Sequence, residues 1–443
     1  MLERALAEID RDRVADLCQA LVDVPSPTGH ERPLAEWIVA ELRTSGIAAH
    51  VQPIDDDQAN AVAEVGAPGA GPDLLLYAPI DTLTVGDSAD DVPWIGLELP
   101  DHARAEAHRA GDRISGLGAH NPKGHAACVM AALEAIGRAG VPLTGRLLGG
   151  FGAGGMPTNA IETRHPPSGN PGEEAASGRR NTGQGVGASF LLEQGVWADA
   201  AVIAKSGWSV SWREVGLAWI DVTVHGHHTY VGARHRLPYR NPIVDAGRVA
   251  AHLDGWFTGY AARHADDIVE PQGVVAAMRA GWWRMAATVP AAATLRADVR
   301  LAPGQSPLDA WREVDAALDE LRRSDDPIDV TTRLALAIPG SHTPPEHWIC
   351  TAAIAAWEAV TGETHRPATA TSGATDANIL RNRGIPTVRI GLPKACDDNG
   401  VELDFAAGMN TVDVDALELL THHLVTVAVD VGTRGTRGEG ALA

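Results

Sequence analysis

The sequence predicts an α/β fold: a three-layer domain around a mostly parallel sheet, interrupted by a smaller α+β domain. Three observations carry this expectation. Helical and strand-like segments alternate before residue 205 and again after residue 347, the pattern of a parallel sheet covered by helices. Between these stretches the order becomes strand, helix, strand, helix, as in a ferredoxin-like unit with helices on one sheet face. The chain has 443 residues, 45% of them hydrophobic, enough to build more than one core. The expected division is 1–212 with 337–443 for the larger, discontinuous domain and 213–336 for the inserted one.

The first clear helix is expected over 31–43, with Ser26 and Thr28 as caps before it and Gly46 at a stop position after it. Strands follow at 48–53, 61–65 and 73–77. Helical spacing returns over 123–139 and closes on Gly140; residues 146–151 then read as a buried strand leading into glycines. Residues 158–184, with Pro166-Pro167 and Gly169-Asn170-Pro171, lack apolar periodicity and read as a polar loop long enough for a lid. A strand at 199–205 ends the first half. The insertion supplies a strand at 217–224, a helix at 241–257, a strand at 292–301 and a helix at 307–322. A helix from 347, a strand at 385–390 and a last helix at 413–430 resume the larger domain.

Composition excludes several function classes. A formal charge of -21 opposes nucleic acid and anionic membranes by long-range repulsion. No segment reaches the ~20 uncharged apolar residues of a membrane span, and the start, Met1-Leu2-Glu3-Arg4, is not that of a leader. Cys18, Cys128, Cys350 and Cys396 show no short paired spacing, so neither a disulfide framework nor a thiolate metal site is expected, and reduced thiols fit a cytoplasmic location.

Six segments stand out for chemistry. Leu75-Leu76-Tyr77-Ala78-Pro79-Ile80-Asp81-Thr82-Leu83 is a strand ending near an acid, and Gly116-Leu117-Gly118-Ala119-His120-Asn121-Pro122-Lys123-Gly124 is a glycine-rich turn into a helix. Ala198 to Lys205 is a strand ending in a cation, and Ala297 to Gly304 closes a long strand of the insertion. Ser372-Gly373-Ala374-Thr375-Asp376-Ala377 and Gly384-Ile385-Pro386-Thr387-Val388 follow as a glycine turn and a strand. In this order the six resemble the two-zinc peptidase and deacylase family that includes acetylornithine deacetylase, succinyl-diaminopimelate desuccinylase, aminoacylase-1 and carboxypeptidase G. The resemblance runs over nearly the whole chain. It implies a zinc-peptidase-like catalytic domain and a homodimer formed through the inserted domain.

The departures from the family are as systematic as the matches. The resemblance places a His ligand at 79, a bridging Asp at 121, a Glu-Glu pair within 153–156, an acidic ligand at 205 and a last His near 406. The chain has Pro79, Asn121, Ala153-Gly154-Gly155, Lys205 and Ala406 there. Proline and alanine offer no side-chain donor, and a lysine ammonium beside a dication is repelled at any local dielectric. No metal and no cofactor are therefore expected. The candidate catalytic residues are Asp81, Lys205, His120 and Lys123. Lys205 is a cation where a metal would polarise a carbonyl, and Asp81 is a base needing a partner among Lys205, His120 and Lys123. Asn121, Tyr230, Asn241, Arg300, Ser372, Gly373 and Thr375 are the candidate contacts to a small anionic substrate, Arg300 as a carboxylate clamp and the 372–375 turn as a donor of N–H and hydroxyl groups. The expected activity is metal-independent hydrolysis of an amide or ureido C–N bond in a small carboxylated molecule. A non-hydrolytic reaction in the same pocket and a non-catalytic binding protein remain as alternatives.

Overall fold

The computed structural model describes residues 1–92, 95–158 and 183–435. Most of the polar loop expected at 158–184 lies outside the described residues. Strands β1 (Ala48–Pro53), β2 (Ala59–Gly66), β3 (Leu74–Pro79), β4 (Arg146–Gly152) and β5 (Ala200–Ala204) belong to the larger domain. The insertion contributes β6 (Gly216–His225), β7 (Gly273–Ala280), β8 (Ala292–Leu301) and β9 (Val330–Ile338), and β10 (Thr387–Ile390) returns to the larger sheet. That sheet has the order β1-β2-β4-β3-β5-β10. Its β4, β3, β5 and β10 are parallel, while β1 and β2 add an antiparallel edge.

Every residue of β3 is buried, as a central strand covered on both faces requires. Leu74, Leu76 and Ala78 point into the major core, while Leu75 and Tyr77 point into a smaller core on the opposite face. The major core is closed by helices α1 (Arg11–Val22), α2 (Arg32–Thr44), α3 (Lys123–Ala139), α6 (Trp348–Thr361) and α7 (Val414–Gly432), introduced with α4 (Pro242–His264) and α5 (Pro307–Ala317) of the insertion. Short helices Val186–Glu193 and Ala377–Asn382 cover the smaller core, so the three expected layers are present. Helix α3 ends where expected, because Gly140 takes the left-handed conformation (φ 57°) that stops a helix without a Cβ penalty.

The insertion is a four-stranded antiparallel sheet, β7-β8-β6-β9, with α4 and α5 on one face. Its chain order, strand-helix-strand-strand-helix-strand, is ferredoxin-like. Two strands beyond the expected pair, β7 and β9, form its edges. The chain enters and leaves the insertion side by side: Arg213–Glu214 pairs antiparallel with Ser341–His342.

Candidate active site

The C-terminal ends of parallel strands are where open α/β sheets place their sites, since the crevice there is not filled by crossover helices. Here Asp81 follows β3, the run Ala153 to Met156 follows β4, Lys205 follows β5 and Gly391 follows β10. Asp81 is fully buried. Its Oδ1 accepts from Gly155 N (2.8 Å), and its Oδ2 accepts from Met156 N (3.0 Å) and Thr28 Oγ1 (2.6 Å). Beside it, Glu31 Oε1 accepts from Gly154 N (2.9 Å) and Gly29 N (3.0 Å), and its Oε2 accepts from Gln58 Nε2 (3.0 Å). Three successive backbone N–H groups after β4 thus point at two buried carboxylates. The glycines there have a reason. A Cβ on Gly155 would lie 2.4 Å from Pro79 Cβ and 2.8 Å from Asp376 Oδ2, and Gly154 holds φ +59°.

Lys205, 6% exposed, donates from Nζ to Gly155 O (3.2 Å), with Met156 Sδ at 3.9 Å. An ammonium carries three donors, and a single oxygen acceptor is recorded for this one among the described residues. Asp376 completes the group from the turn before helix Ala377–Asn382, its Oδ2 accepting from Tyr77 Oη (2.8 Å). Burial raises the Asp376 carboxyl to about 7, opposed by the attraction of Lys205 and by the Tyr77 bond. Burial also raises Asp81, again opposed chiefly by Lys205, and burial with the charge of Asp81 raises Glu31. Lys205 therefore acts electrostatically on both aspartates, although neither forms an ion pair with it within 4.0 Å among the described residues.

The other sequence candidates divide. His120 packs edge-on against buried His125 (centroids 5.4 Å apart), with its Nε2 3.1 Å from Pro393 O. Burial lowers both imidazoles; the Lys205 charge adds to the effect on His125, so the pair borders the cluster. Lys123 is elsewhere: its Nζ donates to Val22 O (3.3 Å) and Val24 O (2.8 Å), tying the end of α1, and burial lowers it to about 7. The partners of Asp81 are thus Thr28 and the backbone after β4, not a hydrogen bond from His120 or Lys123. Asn121, before a cis Pro122, donates from Nδ2 to Met409 Sδ (3.3 Å).

Arg300 and Ser372 line a cleft of about 490 Å³ between the open face of the inserted sheet and the larger domain, with Trp219, Gln272, Arg296 and Pro157. There Arg300 Nε is held by Asp298 Oδ1 (2.7 Å), and Ser372 Oγ accepts from Gln272 N (3.1 Å). Gly373 has open space around it. Thr375 instead donates to buried Glu214 (2.7 Å). Asn241 caps α4 by accepting from Ile243 N (3.0 Å), and Tyr230 is exposed on the insertion.

No family model matches the sequence. Solved structures match it almost end to end. The dipeptidase Dug1p of Saccharomyces cerevisiae superposes with a TM-score of 0.69 at 11% identity, covering 98% of this chain and 99% of its own. The YXEP protein of Bacillus subtilis, a dinuclear metal binding peptidase from the M20 family, gives 0.60 at 15% identity over 95% and 98%. An amidase of the hydantoinase/carbamoylase family from Burkholderia multivorans gives 0.59 at 13% identity over 96% and 98%. The fold is that of the M20 peptidases. The M20 fold implies a dinuclear metal centre, which the residues present do not fit. Pro79 and Ala406 supply no donor, the run after β4 offers backbone N–H groups, and Lys205 offers a cation. Among the described residues no group of three or more His, Cys, Asp or Glu side chains could hold a metal ion.

Sequence reasoning missed Glu31, Tyr77 and Asp376. Glu31 reads as an ordinary acid at a helix start, and Tyr77 as one more apolar residue of a buried strand. Asp376 lies inside the Ser372 to Ala377 turn, of which only Ser372, Gly373 and Thr375 are expected to act; its side chain makes no cap bond and turns to Tyr77.

Proposed function

We propose that this chain is a metal-independent hydrolase acting on an amide or ureido C–N bond of a small carboxylated molecule. The observation that carries the reading is Lys205 Nζ: nearly buried at the end of a central parallel strand, electrostatically coupled to Asp81 and Asp376, with one backbone oxygen as its acceptor. Donor capacity left over in a low-dielectric site is what an oxyanion requires. Asp376, with its carboxyl near 7, is the general base. It takes a proton from water as the water oxygen bonds to the carbonyl carbon, and Lys205 Nζ faces the oxygen that gains charge. The C–N bond then breaks and Asp376 returns the proton to the leaving nitrogen. Arg300, Arg296 and Ser372 line the interdomain cleft, with Arg296 held by Asp221 (2.7 Å) and Arg300 by Asp298, and suit a substrate carboxylate through their remaining donors. The fold likeness to dipeptidases and to an amidase of the hydantoinase/carbamoylase family supports the bond class.

Pairing of two chains through the insertion belongs to the same proposal. It is supported by the edge position of β7, whose Val274 and Met278 are 49% and 44% exposed.

The test is a screen of N-acyl and N-carbamoyl amino acids with protein assayed for metal and treated with chelator. Turnover that survives chelation and is lost in Lys205→Met supports the proposal. Stoichiometric metal required for turnover, or full activity in Lys205→Met, refutes it. A non-catalytic binding protein is the second reading, favoured by Asp81, whose oxygens are already engaged by three donors. It predicts saturable binding of the same compounds with no product. A non-hydrolytic reaction would instead give product without uptake of labelled water oxygen.

A further inference from the structure

We propose that the interdomain cleft takes a dianion, two carboxylates held apart by an apolar spacer about one benzene ring long, with one end on Arg300 and Ser372 and the other on Arg296. The inference rests on the reading that this cleft receives the substrate, and it narrows that substrate to an amide or ureido compound anionic at both ends. Strand β8 alternates: Leu295, Ala297 and Val299 are buried in the core of the insertion, so Arg296, Asp298 and Arg300 share the open face that lines the cleft. Arg296 and Arg300 stand four positions apart on that strand, ~13 Å at ~3.3 Å per residue. A single carboxylate engages one end and leaves the other open.

Each end is built by bonds that fix a donor and leave part of it open. At one end Arg300 N donates to Gln272 O (2.8 Å) and Gln272 N donates to Ser372 Oγ (3.1 Å), which brings Arg300 and the Ser372 hydroxyl together. Asp298 holds Arg300 Nε, and the two terminal nitrogens of Arg300 have no acceptor among the described residues. At the other end Arg296 donates from Nε and Nη2 to Asp221 (2.7 and 3.1 Å), and its guanidinium lies 5.2 Å from the centroid of the Trp219 ring. The head is thus fixed while Nη1 has no acceptor among the described residues. Arg333 Nη2 also donates to Asp221 (2.6 Å), so two cations share one carboxylate and this end keeps a positive charge. Between the ends, Asp298 Oδ1 accepts from Arg300 Nε and its Oδ2 accepts from Trp219 Nε1 (3.0 Å), which engages both oxygens. Val274, Ala276 and Ala277 complete an apolar wall there. An apolar cavity of ~150 Å³ holds benzene, so about 490 Å³ leaves room for a ring and both carboxylates.

Terephthalate, benzoate and phthalate separate charge from spacing: benzoate lacks the second anion, and phthalate carries both anions on adjacent ring carbons. Calorimetric titration of the full chain at low ionic strength should show terephthalate about tenfold tighter than either, the effect of one further charge-assisted contact. Arg296→Gln should erase the advantage of terephthalate over benzoate. Asp221→Asn removes the carboxylate that Arg296 and Arg333 share and should tighten terephthalate severalfold, a change in the direction that loss of folding cannot mimic. Equal affinity of the wild type for terephthalate and benzoate, equal affinity for the two isomers, no binding of any of the three, or an advantage that survives in Arg296→Gln overturns the inference. Turnover is not read. A hydrolase that prefers singly charged amides would keep the proposed function and lose this inference, and tight terephthalate binding without any hydrolysis would do the reverse.

Discussion

Asp376→Asn removes one titrating group from the buried cluster while leaving an acceptor for Tyr77 Oη. In the folded chain the Asp376 carboxyl titrates near 7; its ordinary value is 3.8. The carboxyl pKa is raised on folding, so the stability it contributes is complete below the unfolded value and is lost as the pH rises through 7. Between those values the unfolded chain has released a proton that the folded chain still holds, and stability falls with rising pH. At ~1.4 kcal/mol per unit, the interval from pH 5 to pH 7 sets a ceiling near ~2.7 kcal/mol. Relaxation around a buried charge lowers such ceilings, and we expect about 1–2 kcal/mol. Urea denaturation of wild type and Asp376→Asn at pH 5, 6, 7 and 8 measures the difference directly. The wild type should lose that much more stability than the variant across the range. Carboxyl infrared difference spectra at pH 6 should show a protonated band stronger in the wild type than in the variant, where Glu31 still contributes. Parallel stability curves for the two proteins, with no difference in that band, would refute the assignment of a neutral-pH proton to Asp376.

Lys205→Met removes the charge that holds down both Asp81 and Asp376, so the midpoint of the infrared titration should move upward by about one unit, with the fold intact by circular dichroism. Lys123→Met tests the opposite sign. Burial holds Lys123 near 7 against an ordinary 10.5, so its contribution is lost as pH falls through 7, and wild-type stability should rise on the order of 2 kcal/mol more than the variant's between pH 7 and pH 9. If Lys123 only anchors α1, any activity found should survive this substitution. Gly155→Ala forces a Cβ against Pro79 and Asp376 and should cost about 1–3 kcal/mol in urea denaturation, whereas Gly46→Ala, with open space around it, should cost only the strain of its φ of +79°.

Much of the fold was legible because local signals were strong. β1, α3 and β8 fall at the expected residues, each an uninterrupted pattern bounded by turn residues or by the left-handed Gly140. The edge strands of the insertion were not legible. β7 exposes most of its side chains and so lacks inward-outward alternation, while β9 carries a bulge between Leu334 and Leu336 that breaks its period of two. Helix α1 escaped notice although Asp10 caps it, accepting from Asp12 N and Arg13 N. In the site, Asp81 and Lys205 were found because each ends a recognisable strand. Asp376 and Tyr77 were not, although each lies in one of the six segments, since their pairing spans 299 positions and only the folded chain brings them together.

The two-glycine run after β4 has an evolutionary consequence. A carboxylate ligand at position 155 would need a Cβ in space already held by Pro79 and Asp376. An acid there would also be added to a cluster whose carboxylates already retain protons against their surroundings. Introducing an acid at 155 therefore asks for simultaneous change at 79, where a proline now stands, and in the charge balance that Lys205 sets, so single substitutions toward it pass through proteins that fold less well.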